Sequence, residues 1–270
     1  MSAEGERFAE PVRCAIEAGV AYLRLSVPAS DNALTTSLLE GLSRSLARAT
    51  SDPSCRAAVI SAEGEHFCRG LDLEASFADD GGPNEHFLRL SLECLSGIRA
   101  AQFPVIACVE GHVTGGGLGL VSACDIVIAA PKAVFMLSEV IIGMMPALIA
   151  PFLLRRLTPA RLGYLAQSTR GIQGAEARAY GLVDELAEGE VSAALDRQLK
   201  RILRSSPAAL AESKRYFNAL TGGDFARQTD AALSQLRAWL SQPGVAEGAR
   251  AFAEGSVPPW FQKHVARKYV

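Results

Sequence analysis

Short apolar runs rich in β-branched residues alternate with stretches of helical periodicity as far as about residue 150, and there the alternation stops. Val20–Val27 reads as a strand, with Pro28 and Asp31-Asn32 turning the chain after it. Thr35-Thr36 caps a helix whose Leu38, Leu39, Leu42 and Leu46 fall on one stripe, and Ser51-Asp52-Pro53 ends it. Ala57–Ser61 predicts a second strand, and the segment after it runs through His66 and Phe67 into a glycine turn at Gly70-Leu71. Loop formers crowd together from Asp79 to Asn84, predicting an exposed loop. A helix follows from His86 to Ala100, with Leu88, Leu92, Leu95 and Ile98 on one face. Val105–Val109, Ile126–Ala129 and Val134–Leu137 are short and apolar enough to be buried strands. Beyond them the pattern predicts helices only, at Pro151–Arg156, Pro159–Gln167, Gln173–Tyr180, Val191–Arg204, Pro207–Leu220 and Asp230–Ser241.

One stretch breaks the pattern in a way that suggests chemistry. Between two of the predicted strands lies Glu110-Gly-His-Val-Thr-Gly-Gly-Gly-Leu-Gly-Leu120, with glycine at 115, 116 and 117. Consecutive glycines are costly inside a helix or strand. They suit a turn where the backbone approaches something closely and presents bare N–H groups. Leu118–Cys124 reads as a buried helix, so the turn sits at the positive end of a helix dipole. A plain tight turn between core elements is the competing reading. The stretch lacks the Lys-Ser/Thr of a phosphate-binding loop and the spacing of a dinucleotide fingerprint. Gly70-Leu71 is a second such turn, and two amides aimed at one oxygen would make an oxyanion hole.

Composition narrows the setting. The 270 residues are 49% hydrophobic, enough for one large domain or one with a smaller appendage. A net charge of −2 gives no reason to expect nucleic acid or an anionic membrane. The six cysteines show no metal-ligand spacing, so no metal site is expected. MSAEGERFAE lacks the parts of a signal peptide, and glycines with Glu110 and Asp125 interrupt the apolar region that might otherwise span a membrane. A reducing, cytoplasmic setting is the consistent expectation.

Taken together, Phe67-Cys68-Arg69-Gly70-Leu71-Asp72, Gly115-Gly116-Gly117, Ser138-Glu139 and Gly143-Met144-Met145-Pro146 resemble the crotonase (enoyl-CoA hydratase/isomerase) superfamily. Asn32-Ala33-Leu34, Ala175-Glu176-Ala177 and Gly181-Leu182-Val183 extend the resemblance, which covers about residues 20 to 260. It implies an α/β fold built as a spiral of ββα units over residues 1–200, with a helical region at 201–270 that assembles trimers or dimers of trimers. It also implies an acyl thioester on CoA or phosphopantetheine, with no metal or redox cofactor. The oxyanion donors would be Leu71 and Gly116, set by Gly70 and Gly115, and Glu139 would handle the proton. Ala147, Leu148 and Ile149 would line the acyl pocket.

The departures from the family pattern carry as much information. A typical hydratase has a second glutamate a few residues after the triple glycine, and here that position is Gly119. The paired acid and base around a water is therefore incomplete, and Pro146–Pro151 is bulkier and more apolar than the usual glycine-containing loop. Ordinary enoyl-CoA hydration is disfavoured. A closer resemblance, in Gly116–Ala129, Phe135–Glu139, Pro151–Arg156 and Glu254–Trp260, is to the crotonase-type enzymes of polyketide β-branching cassettes. One of those dehydrates a 3-hydroxy-3-methylglutaryl group on an acyl carrier protein; the other decarboxylates the resulting 3-methylglutaconyl group. The decarboxylating type is associated with a loop lysine and a C-terminal histidine. Leu73–Leu90 contains no lysine and His264 lies in the tail, so dehydration is preferred. Decarboxylation, double-bond isomerisation by Glu139 alone and a catalytically idle partner protein stay open. His86 and Arg89 could meet a distal carboxylate if their loop folds inward, against the plainer reading of a solvated helix start. His66 and His112 read as hydrogen-bonded structural residues, and Asp72 as a brace for its turn. Arg24, Lys263, Arg267 and Lys268 could meet a phosphate, solvated charge being the ordinary reading.

Overall fold

The computed structural model describes residues 10–221, 224–242, 244–257 and 259–263. A hairpin opens it: β1 (Val12–Glu17) pairs antiparallel with β2 (Val20–Leu25). Sequence reading misses β1, because Arg13 and Glu17 dilute its alternation. Helix α1 (Thr36–Ser51) starts where Thr35 Oγ1 accepts the Leu38 N–H at 3.2 Å, and it buries the expected leucine stripe. Each such fully buried leucine contributes about 1.5–3 kcal/mol of transfer free energy.

Three successive ββα units then build the body. They are β3 (Ala57–Ala62), β4 (His66–Cys68) and α2 (Glu85–Ala100); β5 (Val105–Val109), β6 (His112–Thr114) and α3 (Gly116–Ala123); and β7 (Ile126–Ala129), β8 (Val134–Met136) and α4 (Ala150–Leu153). The first strand of each unit joins one sheet and the second strand joins another. The remaining elements are α5 (Pro159–Ser168), β9 (Ile172–Gln173), α6 (Gly174–Tyr180), β10 (Glu185–Leu186), α7 (Val191–Arg204), α8 (Pro207–Thr221), α9 (Phe225–Leu240) and α10 (Val245–Ala253). The larger sheet runs β1-β2-β3-β5-β7-β10 and is parallel from β2 onward; the smaller runs β4-β6-β8-β9. This is the expected spiral of ββα units, and its repeat stacks the loops after β4, β6 and β8 at one end.

The larger sheet is covered on both faces. Val59, Ile106 and Ile128 on one face meet Val191, Ala194, Leu199 and Ile202 of α7. Helix α7 runs unbroken across position 200 and packs on the sheet, and a turn at Ser205–Ser206 separates it from α8. Element boundaries shift for local reasons. Helix α3 begins at the middle glycine rather than at Leu118, and α9 begins at Phe225 rather than Asp230 because Asp224 accepts the Arg227 N–H at 3.0 Å. The expected helix at Pro151–Arg156 contracts to the single turn of α4, and α10 is an addition to the predicted set. The loop at Asp79–Asn84 is exposed in part and closed on itself, with Ala78 N–H donating to Gly82 O and Asn84 N–H to Ser76 O. Among the described residues no helix is long and apolar enough to cross a membrane.

Candidate active site

Two glycine turns meet where the loops after β4 and β6 converge. A Cβ on Gly70, whose φ is +103°, would lie 2.9 Å from Thr114 O and 3.0 Å from Gly116 N. A Cβ on Gly116 would lie 3.1 Å from Leu71 N and 3.0 Å from Leu71 Cγ. Only glycine permits this approach at either position. Four bonds lock the pair of turns. Thr114 Oγ1 donates to Arg69 O at 2.6 Å, Leu34 N–H to Gly70 O at 2.8 Å, and Gly115 N–H to Met136 O at 3.0 Å. Buried Asn32 donates from Nδ2 to His66 O at 2.8 Å, fixing the strand that leads into the first turn. Asp72 braces that turn as expected, its Oδ1 accepting the Glu74 N–H at 3.0 Å. The Leu71 and Gly116 N–H groups are left without an acceptor among the described residues. Gly116 is also the first residue of α3, so the helix dipole adds positive potential at the same point.

Glu139 faces these amides from the turn after β8. Its Oε1 lies 3.5 Å from where a Cβ on Gly115 would stand. Its Oε2 is buried with no hydrogen-bond partner, an arrangement that is costly unless a ligand or a proton satisfies it. Burial pushes the carboxyl up from 4.5 to about 7, with the backbone amides of Glu139 and Ser138 pulling weakly the other way; no neighbouring charge contributes.

A cavity of about 740 Å³ opens over the two turns and Glu139. Gly70, Leu71, Gly115, Gly116, Glu139, Leu148 and Ile149 all line it, which unites seven of the residues singled out in the sequence. Two others do not reach it. Ala147 is buried behind the wall, and His86 stands exposed at the start of α2, as does Arg89. The loop at Asp79–Asn84 also stays outside the lining, which ends at Glu74. His66 lines the cavity, but its ring lacks the hydrogen bond expected of it: Nδ1 is buried without a partner. The ring lies tilted against His112, 5.1 Å between centroids, with Nε2 3.9 Å from Asp31 Oδ1. His264, Arg267 and Lys268 lie outside the described residues.

The space beside α3 explains the missing carboxylate. A Cβ on Gly119 would collide with Ile149 Cγ2, and would lie 3.0 Å from Ile149 Cβ and 3.3 Å from Leu95 Cδ1. Ile149 thus occupies the place where a side chain at 119 would project, and Leu148 and Ile149 give the cavity an apolar wall there. Sequence reading misses Thr114, Arg69, the methionines at 136, 144 and 145, and the contributions of Leu236, Phe252 and Ala253. Only the three methionines offered a signal, since they are every methionine after Met1.

Known proteins resemble this chain over most of its length. The family profile described as "Enoyl-CoA hydratase/isomerase" matches residues 15–263. The bacillaene synthase dehydratase PksH of Bacillus subtilis (strain 168) is 27% identical over 257 residues, covering 93% of this chain and 96% of its own. A solved structure of PksH from Bacillus subtilis matches with a TM-score of 0.81 at 26% identity, over 92% of this chain and 98% of that one. (E)-Benzylidenesuccinyl-CoA hydratase of Thauera aromatica is 30% identical over 254 residues, covering 92% and 98% of the two chains. A solved enoyl-CoA hydratase from Mycobacterium avium matches with a TM-score of 0.83 at 32% identity, over 94% of this chain and all of that one.

Proposed function

The chain belongs to the enoyl-CoA hydratase/isomerase family, and from that premise we propose that it dehydrates a 3-hydroxyacyl thioester of the 3-hydroxy-3-methylglutaryl type. The observation that carries this reading is a single buried carboxylate set opposite two unpaired amides, with the place of a second carboxylate filled by Ile149. Ionised Glu139 removes a proton from the α-carbon, and the C–H electron pair moves into an enolate whose oxygen accepts from Leu71 and Gly116 N–H. The enolate then collapses, forming the α,β double bond and breaking the β-carbon–oxygen bond. The departing hydroxyl takes the proton back from Glu139 and leaves as water, so the carboxylate is regenerated. A carboxyl lifted to about 7 suits both halves of that traffic. The name of PksH, a dehydratase, supports the direction of the reaction.

Isomerisation of a double bond is the second reading, because it too would need only Glu139. Arg69 lines the cavity, is exposed, and has no side-chain hydrogen bond or ion pair among the described residues; the dehydration reading assigns it to the distal carboxylate of the glutaryl-type substrate. The carrier is an acyl carrier protein, with CoA as the alternative, and no metal or redox group enters the scheme. The assembly is a homotrimer or a dimer of trimers. The test is mass spectrometry of carrier-bound 3-hydroxy-3-methylglutaryl and 3-methylglutaconyl thioesters after incubation with the protein. Loss of roughly 18 daltons from the first is expected. Loss of roughly 44 from the second would mean decarboxylation, and unchanged mass with a moved double bond isomerisation. No change in any thioester, with carrier binding retained, would point to the idle partner.

A further inference from the structure

The turn that carries Glu139 is held from outside by the C-terminal part of the chain. Glu139–Ile142 is a single 3₁₀ turn that ends at Gly143 in the left-handed region, φ +75°. Ile142 anchors the inner side of this turn in the core, while Val140 and Ile141 on its outer side are exposed. Two indoles hold that outer side. Trp239 Nε1 donates to Gly143 O at 2.8 Å from α9, and Trp260 Nε1 donates to Ile141 O at 3.3 Å from beyond α10.

Packing around Trp260 agrees with its hydrogen bond. A Cβ on Gly143 would collide with Trp260 Cη2 and lie 2.9 Å from Cζ2. A Cβ on Gly248 would collide with the same ring. Gly248 sits inside α10, where glycine costs about 1 kcal/mol relative to alanine, and the ring accounts for it. Trp260 is therefore clasped between a glycine of the Glu139 turn and a glycine of α10. The same helix contributes Phe252 and Ala253 to the cavity wall, so one segment both holds the turn and walls the cavity.

We propose that Trp239 and Trp260 are positioning residues for Glu139, and that the carboxylate keeps its place opposite the oxyanion turn only while the C-terminal segment is seated. This rests on Glu139 being the proton-handling group, as the proposed function has it. Neither indole touches the reacting atoms; each acts through the backbone of the turn. These are also the chain's only two tryptophans, so tryptophan emission comes solely from the two side chains that hold this turn.

The test has one arm that needs no turnover. Tryptophan emission of the whole protein is followed from pH 5 to 9. A transition centred at about 7 that vanishes in Glu139→Gln is expected. His66, Arg69, Asp72 and Glu74 also line the cavity, and the glutamine variant separates any response of theirs from that of Glu139. Flat emission, or a transition that survives Glu139→Gln, overturns the proposal even if no acyl substrate is turned over. In the kinetic arm, Trp260→Ala should lower kcat by ~10–10²-fold with little change in KM. It should also move the acidic limb of the rate profile toward the ordinary carboxylate range as water reaches the turn. Trp260→Phe, which keeps a ring between the two glycines, should recover most of kcat, and Trp239→Phe should lose only the bond to Gly143 O. Unchanged kcat and pH profile in Trp260→Ala and Trp239→Phe would overturn the assignment. Failure of every thioester in the native protein, with the emission arm intact, would instead overturn the proposed reaction.

Discussion

At the scale of single residues, Glu139 makes a pH-dependent claim on both rate and stability. Its folded carboxyl titrates at about 7, whereas in the unfolded chain it returns to about 4.5. The folded state holds the proton more tightly, so the associated stabilisation is full below pH ~4.5 and is lost as pH rises through ~7. Glu139→Gln removes that dependence. Its stability relative to the native protein should therefore rise between pH 5 and 8, by up to about 3 kcal/mol, in denaturant melts. Turnover should fall by ~10²–10⁴-fold, and near-normal turnover would remove Glu139 as the base. Arg69→Met tests the other assigned residue. It should raise KM for a glutaryl-type thioester by about 10–10²-fold while leaving a 3-hydroxybutyryl thioester unaffected; equal effects on both would detach Arg69 from the distal carboxylate. Residue chemistry was readable in the sequence wherever a backbone requirement fixed the residue type. Gly70, Gly115 and Gly116 announced a close approach, whereas Gly119 told of a missing carboxylate only through the family resemblance. Arg69 and Thr114 could not be read that way, because an arginine or threonine beside a turn has no composition signal.

At the scale of elements, helix α3 and the segment entering α4 fit together as a pair. Gly119 leaves room that Ile149 fills, so neither can change alone. Gly119→Ala should destabilise the protein by about 1–3 kcal/mol through overpacking, and Ile149→Ala by a similar or larger amount through the cavity it leaves. The double variant should cost clearly less than the sum, a coupling visible in a thermodynamic cycle from chemical unfolding. Strict additivity would show that the two sites relax independently. Long periodic elements such as α1, α2 and α7 were legible because their stripes repeat over several turns. β9 and β10, with two residues each, fall below any period, and α10 was hidden by the glycine that Trp260 requires. Those omissions matter, since α10 lies against the very turn that holds Glu139.

At the scale of the whole molecule, a buried ion pair helps join the spiral to the C-terminal helices. Lys214 of α8 donates to Asp125 Oδ2 at 2.6 Å, to Phe103 O at 3.1 Å and to Ile98 O at 3.3 Å. Asp125 Oδ2 also accepts the Val105 N–H at the start of β5. Burial holds Lys214 below its usual range, with Asp125 opposing that shift. Lys214→Met leaves Asp125 without its counterion and should cost about 3–5 kcal/mol, measured by chemical unfolding. With its inner face anchored so, α8 turns Tyr216 and Leu220 outward, 54% and 62% exposed. Aromatic and aliphatic groups presented together on a rigid helix are the composition of an interface. We assign this face to the proposed homotrimer. Leu220→Asp should reduce the sedimenting mass to that of a single chain while Glu139 chemistry is retained at high protein concentration. An unchanged mass would move the interface elsewhere. The two variants separate the roles of the helix, because Lys214→Met should weaken folding of the chain and Leu220→Asp only its assembly. If assembly proves to require α8, the C-terminal helices serve two surfaces at once: α8 faces the neighbouring copy, while α9 and α10 keep the Glu139 turn in place within their own chain.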